Sequence, residues 1–275
     1  MSARGRFLSG LVSAATALAA FTMAGTLPAA ANSGTVRYVA LGDSYAAGQG
    51  AGADSYLNDC KQSTKGYPAL LAAEKHVRLE ANETCTGATA AEVADTQLSA
   101  LNRRIRLVTL TVGGNDLDVS GLATLCTEKP TACADAITSR LAQLPRLGSR
   151  LTDLYTDVAD AAPKALIVVS GYPHLLEPTA PVDPALIAAL NFATDELNRT
   201  IREAVAAAHA TGVNIVYVDV TAAFEGHGIG GNKELFINPS GKDAFHPNAA
   251  GYLAYAAAIS AALPAKWLDE QEQLV

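Results

Sequence analysis

The sequence predicts an α/β protein: a three-layer α/β/α sandwich with a five-stranded parallel sheet. Three observations lead there. Five short apolar runs, 36–41, 77–80, 107–112, 165–170 and 213–220, alternate with segments of helical length, and parallel neighbours need crossovers of that length. Val36–Leu41 and Leu107–Val112 are apolar and β-branched with abrupt ends, as in strands buried by helices on both faces. Residues 32–275 are numerous enough for one sizeable core, with no internal repeat, low-complexity tract or linker, so a single domain is expected there.

Along the chain, Arg4 and Arg6 precede an apolar, Ala-rich run from Phe7 to about Ala24, and Ala29-Ala30-Ala31 offers a small-residue cleavage site. Residues 1–31 therefore read as a secretory signal peptide, which implies an extracellular product. The strand to Leu41 stops at Gly42 and opens a Gly-rich loop, followed by a short helix at 68–73 and a weakly alternating strand at 77–80. Helical spacing over 88–102 puts Val93, Leu98 and Leu101 on one side. After the 107–112 strand, 134–161 is expected to be a long helical region interrupted near Pro145. A strand at 165–170, a long helix at 184–210 and a strand at 213–220 follow. Gly226–Asn232, with four glycines, reads as a mobile loop, and 248–263 as the last helix, entered at Pro247 and stopped by Pro264.

The formal charge of −7 becomes −9 without Arg4 and Arg6. An acidic exported chain is not expected to bind nucleic acid or to be drawn to an anionic membrane surface. No second apolar stretch is long enough to span a bilayer, so no stable membrane insertion is expected. Cys60, Cys85, Cys126 and Cys133 are an even set in an exported chain, which favours disulfides, and three pairings are open. A zinc site lacks a Cys-x-x-Cys or a nearby histidine.

Chemistry concentrates in three blocks: Gly42-Asp43-Ser44-Tyr45, Gly113-Gly114-Asn115-Asp116 and Asp243-Ala244-Phe245-His246. Ser44 lies just past the carboxyl end of a strand, the edge where α/β sheets bind ligands. Serine needs a base within hydrogen-bond reach. His76 and His209 fall far from that edge, whereas His174 and His227 follow strands and fit substrate loops. His246 stands at a helix entry set by Pro247, with Asp243 three residues earlier. Asp43 is expected only to accept turn N–H groups.

With these blocks in this order, the chain resembles the SGNH (GDSL-type) hydrolases, closest to the secreted actinobacterial lipases and esterases of that group. The resemblance implies the flavodoxin-like strand order 2-1-3-4-5. It implies a triad of Ser44, His246 and Asp243, although related enzymes sometimes orient the histidine with a backbone carbonyl. It also implies oxyanion donors from the Ser44 N–H, the Gly87 N–H and the Asn115 amide, and pairings Cys60–Cys85 and Cys126–Cys133, which also close local loops.

The expected activity is hydrolysis of carboxylic acyl esters through an acyl-enzyme, by a monomer acting on a small-molecule or lipid ester. No cofactor and no metal are needed. Leu117, Val119, Leu122, Leu175, Leu176 and Phe245 are either acyl-site or core residues. A phospholipase or a carbohydrate acetyl esterase would use the same site. Two other classes compete: a phosphate-binding module on Gly42, Gly48, Gly50 and Gly52, and a metal-dependent hydrolase on Asp43, Asp219, Asp243 and His246.

Overall fold

The computed structural model describes residues 35–73 and 76–267, and these belong to one compact unit, Ser33–Val275. The expected signal peptide lies outside the described residues. Five strands, β1 (Val36–Gly42), β2 (Val77–Asn82), β3 (Leu107–Thr111), β4 (Leu166–Ser170) and β5 (Ile215–Val218), form an all-parallel sheet in the order β2-β1-β3-β4-β5. This is the expected order. β3 and β4 are buried along their whole length, as a sheet covered on both faces requires.

Helix α2 (Tyr67–Ala72) packs with α9 (Ala249–Ser260), while α6 (Leu144–Ala161) packs with both α3 (Ala90–Thr96) and α7 (Pro184–Ala210) on the opposite face. The α6 stripe Leu144, Leu147, Leu151, Leu154, Tyr155 and Val158 recurs at three- and four-residue steps and is buried throughout. Short helices α1 (Ser44–Ala47) and α8 (Thr221–Phe224) follow β1 and β5. Among the described residues, no helix is long and apolar enough to cross a membrane.

The expected interruption near Pro145 is present: 134–161 is two helices, α5 (Pro130–Leu141) and α6, with Pro145 in the first turn of the second, where its missing N–H costs nothing. Two other expectations change. The segment 88–102 is helical only to Thr96. A capping box between Thr89 and Glu92 starts α3, and Gln97 then spends its side chain on Gly42. Helix α4 (Val119–Glu128) was not expected. It pairs with α5, the two are joined by the Cys126–Cys133 disulfide, and Leu122, Cys126, Cys133 and Ile137 form a second small core.

Loop 226–232, expected to be mobile, is tied down. The Gly226 and Gly228 N–H groups donate to Glu177 Oε1 at 2.7 and 3.1 Å, and Thr179 Oγ1 donates to the Gly230 carbonyl at 2.5 Å. Its glycines serve close packing, since a Cβ on Gly230 would collide with the Ala180 backbone.

Candidate active site

β1 ends at Gly42 in a conformation that only glycine adopts at no cost: φ is +125°, and a Cβ there would collide with the Thr111 carbonyl oxygen on β3. Gln97 locks this peptide from both sides, accepting from the Gly42 N–H at 2.7 Å and donating to its carbonyl at 3.0 Å. Asp43 then caps α1, its Oδ1 accepting from the Tyr45 N–H at 2.9 Å. Ser44 is thus the first residue of a helix, and its own N–H has no intrahelical acceptor.

His246 arrives from the far end of the chain, and its Nε2 lies 2.8 Å from Ser44 Oγ. Its Nδ1 lies 3.0 Å from the Ala244 carbonyl oxygen. A carbonyl only accepts, so Nδ1 carries the proton and Nε2 presents a lone pair to the Ser44 hydroxyl. Burial pushes the imidazole below its usual value, outweighing the backbone carbonyl and the nearby Asp243 charge, so the ring is neutral at neutral pH and ready to take a proton. The surrounding turn is fixed by Tyr45 Oη donating to the Phe245 carbonyl at 2.5 Å and by Asn238 Nδ2 donating to the carbonyls of His246 and Gly50 at 3.1 and 3.0 Å.

The Asp243 carboxylate Oδ1 accepts from Gln49 Nε2 at 3.3 Å, while the Ala244 carbonyl stands at His246 Nδ1, in a turn where Phe245 takes a left-handed φ of +66°.

Asn115 follows β3 and lines the same cleft as Ser44 and His246. Its side-chain amide donates to the Ala88 carbonyl at 3.0 Å. That bond ties it to the turn carrying Gly87, which has φ +82° and is solvent-exposed. The Cys60–Cys85 disulfide anchors this turn, and the Thr86 N–H donates to the Cys60 carbonyl at 3.0 Å. Gln49 joins it to the histidine turn, accepting from Thr86 Oγ1 at 2.5 Å while donating to Asp243.

The apolar residues divide. Val119, Leu175 and Phe245 line the cleft, Leu117 belongs to the main core, and Leu122 and Leu176 sit in separate small clusters. His174 and His227 stay out of the cleft. The first pairs with Asp195 at 2.7 Å, and the second stacks on Phe236 with centroids 3.8 Å apart. Glycines 48 and 50 are packed rather than open to a phosphate, since a Cβ on Gly50 would meet the Pro247 carbonyl and His246. Among the described residues, no group of three or more His, Cys, Asp or Glu is arranged to hold a metal ion.

Sequence reasoning missed Tyr172, Gln49, Gln97 and Asn198. Of these only Tyr172 carried a signal, its place just past the carboxyl end of β4.

The model of the GDSL-like lipase/acylhydrolase family matches residues 40–254. The chain is 35% identical to Lipase 1 of Streptomyces coelicolor over 258 residues, covering 89% of this chain and 92% of the relative. An extracellular lipase from Streptomyces rimosus superposes with a TM-score of 0.77 at 31% identity, covering 83% of this chain and all of that one. Phospholipase A1 from Streptomyces albidoflavus NA297 also gives 0.77, at 32% identity, with 82% and 99% covered.

Proposed function

The chain belongs to the GDSL-like lipase/acylhydrolase family and is a carboxylic ester hydrolase; from that premise we propose that Ser44 is its nucleophile and His246 its general base and acid. The 2.8 Å approach of Nε2 to Oγ is the observation that carries this reading.

His246 takes the hydroxyl proton as Ser44 Oγ attacks the ester carbonyl. In this reading the Ser44 and Gly87 N–H groups and the Asn115 amide are the donors to the oxygen that becomes negative. The Ala244 carbonyl stabilises the imidazolium through Nδ1–H, and Nε2 returns the proton to the leaving alcohol. Water then repeats the sequence on the acyl-serine, with no cofactor. Val119, Leu175 and Phe245 give the cleft an apolar wall, which suits acyl chains. One similar structure is of a lipase and another of a phospholipase A1, so acylglycerols and phospholipids are both candidate substrates. Secretion is part of the same proposal, supported by the Arg-led apolar run at the N-terminus and by the extracellular lipase it resembles.

The test is a panel of p-nitrophenyl esters and phosphatidylcholine vesicles offered to wild type and Ser44→Ala. Losing the nucleophile is expected to lower kcat by at least about 10³ on every substrate. A variant with wild-type rates refutes the assignment.

A further inference from the structure

The mechanism above leaves a buried network unused. Asp43, beside the nucleophile, is 1% exposed. Its Oδ2 accepts a hydrogen bond of 2.5 Å from the Tyr172 hydroxyl, which comes off the end of β4. A phenol has one proton to give, and an ionised carboxylate can only accept, so with Asp43 ionised that proton is committed to Asp43. The remaining lone pairs face the Gly114 N–H, which donates to Tyr172 Oη at 3.0 Å.

Gly114 is the residue before Asn115, and it caps the 3₁₀ turn Asn115–Leu117. Its backbone packs closely on the phenol: a Cβ there would sit 3.3–3.4 Å from the ring and hydroxyl of Tyr172. Tyr172 cannot slide away. The buried Asn198 amide on α7 accepts from its N–H and donates to its carbonyl, both at 2.8 Å, and Tyr45 meets its ring edge-on with centroids 5.1 Å apart. One rigid connection therefore runs from the nucleophile turn to the Asn115 turn. Misplacing a reacting group by ~1 Å can cost about 10²-fold in rate, so such a connection matters to catalysis.

We propose that Tyr172 is a positioning residue of the oxyanion site: its hydroxyl, oriented by Asp43, holds the Gly114 N–H and so sets where the Asn115 amide points relative to Ser44. This rests on the reading of Asn115 as an oxyanion donor.

A double-mutant cycle on a short p-nitrophenyl ester tests it. Asn115→Ala alone is expected to lower kcat by about 10²–10³. Tyr172→Phe alone is expected to lower kcat by roughly tenfold with KM within about twofold, and to cost less than about twofold in the Asn115→Ala background. A merely structural tyrosine would give the same loss in both backgrounds. That result overturns the proposal, as does a Tyr172→Phe protein with unchanged kcat or with only a raised KM. Asp43→Asn is the second arm should Tyr172→Phe not fold, because an amide of the same shape donates to the phenol and reverses the bond. It should show the same kcat-only loss, again absent without Asn115, and a loss independent of Asn115 counts against the proposal. An Asn115→Ala protein with wild-type kcat overturns the oxyanion assignment and this proposal together, whereas additivity overturns the proposal alone.

Discussion

Relative to wild type, Asp43→Asn should gain stability as pH rises. Burial pushes the Asp43 carboxyl from 3.8 up to about 7, against hydrogen bonds from Tyr172 and from the Tyr45 and Ala46 N–H groups, with Asp116 adding to the rise. The groups facing it are otherwise phenols: Tyr45, Tyr67, Tyr172, Tyr252 and Tyr255. A folded-state value above the unfolded one means the fold binds the proton more tightly. The stabilisation from that proton is complete below pH 3.8 and is lost as pH rises through about 7. At 1.36 kcal/mol per factor of ten, the full difference is on the order of 4 kcal/mol, of which roughly 2.5 kcal/mol develops between about pH 5 and pH 8.5. Asparagine does not titrate, so the difference in Tm between Asp43→Asn and wild type should widen over that interval by roughly 5–10 °C for a chain of this size. Scanning calorimetry at the two pH values, with disulfides intact, reads this directly. A Tm difference that is independent of pH, or that narrows as pH rises, refutes the argument that Asp43 is ionised at a cost.

Asp243→Asn should keep kcat within roughly tenfold of wild type, because His246 Nδ1 is held by the Ala244 carbonyl; a fall of about 10⁴, as when a triad carboxylate is lost, would reinstate Asp243 as the orienting group. Removing the disulfides should separate stability from activity in urea melts and initial rates. Losing Cys60–Cys85, which closes 25 residues, should cost about 3.5 kcal/mol and lower kcat as well, since Gly87 is two residues away. Losing Cys126–Cys133, which closes 7, should cost about 2.4 kcal/mol with little change on short esters, and equal effects on kcat would contradict the anchoring of Gly87. Because burial holds the His246 imidazole below its usual 6.5, the acid limb of kcat/KM should have its midpoint below that pH, and a limb at or above 6.5 would show the ring to be solvated.

What the sequence revealed was what short-range chemistry decides. Gly42 after a β-branched run marks the strand exit, Pro247 the entry to the last helix, and five apolar runs the sheet. α4 escaped because Val119–Glu128 carries a glycine and two threonines; it is helical through its disulfide to α5 and its packing, not through propensity. The Ala244 carbonyl that meets His246 Nδ1 sits in a turn where Phe245 has a left-handed φ, a conformation no sequence pattern encodes. Tyr172, Gln97 and Gln49 reach partners 129, 55 and 194 residues away, so nothing near them in the chain announces the role.

These long reaches also explain how so small a site keeps its geometry. Ser44 and His246 are 202 residues apart, and the turn carrying the histidine has no regular secondary structure of its own. Its position is set by side chains that bond to backbone: Asn238 to the Gly50 and His246 carbonyls, and Tyr45 to that of Phe245. Gln49 adds a brace from the same region to the Gly87 turn. Each brace leaves from the Gly42–Gly50 segment or returns to it, so displacement of that segment would move Ser44, His246 and the Gly87 turn together. A serine–histidine pair braced this way depends on the β1 exit staying closed.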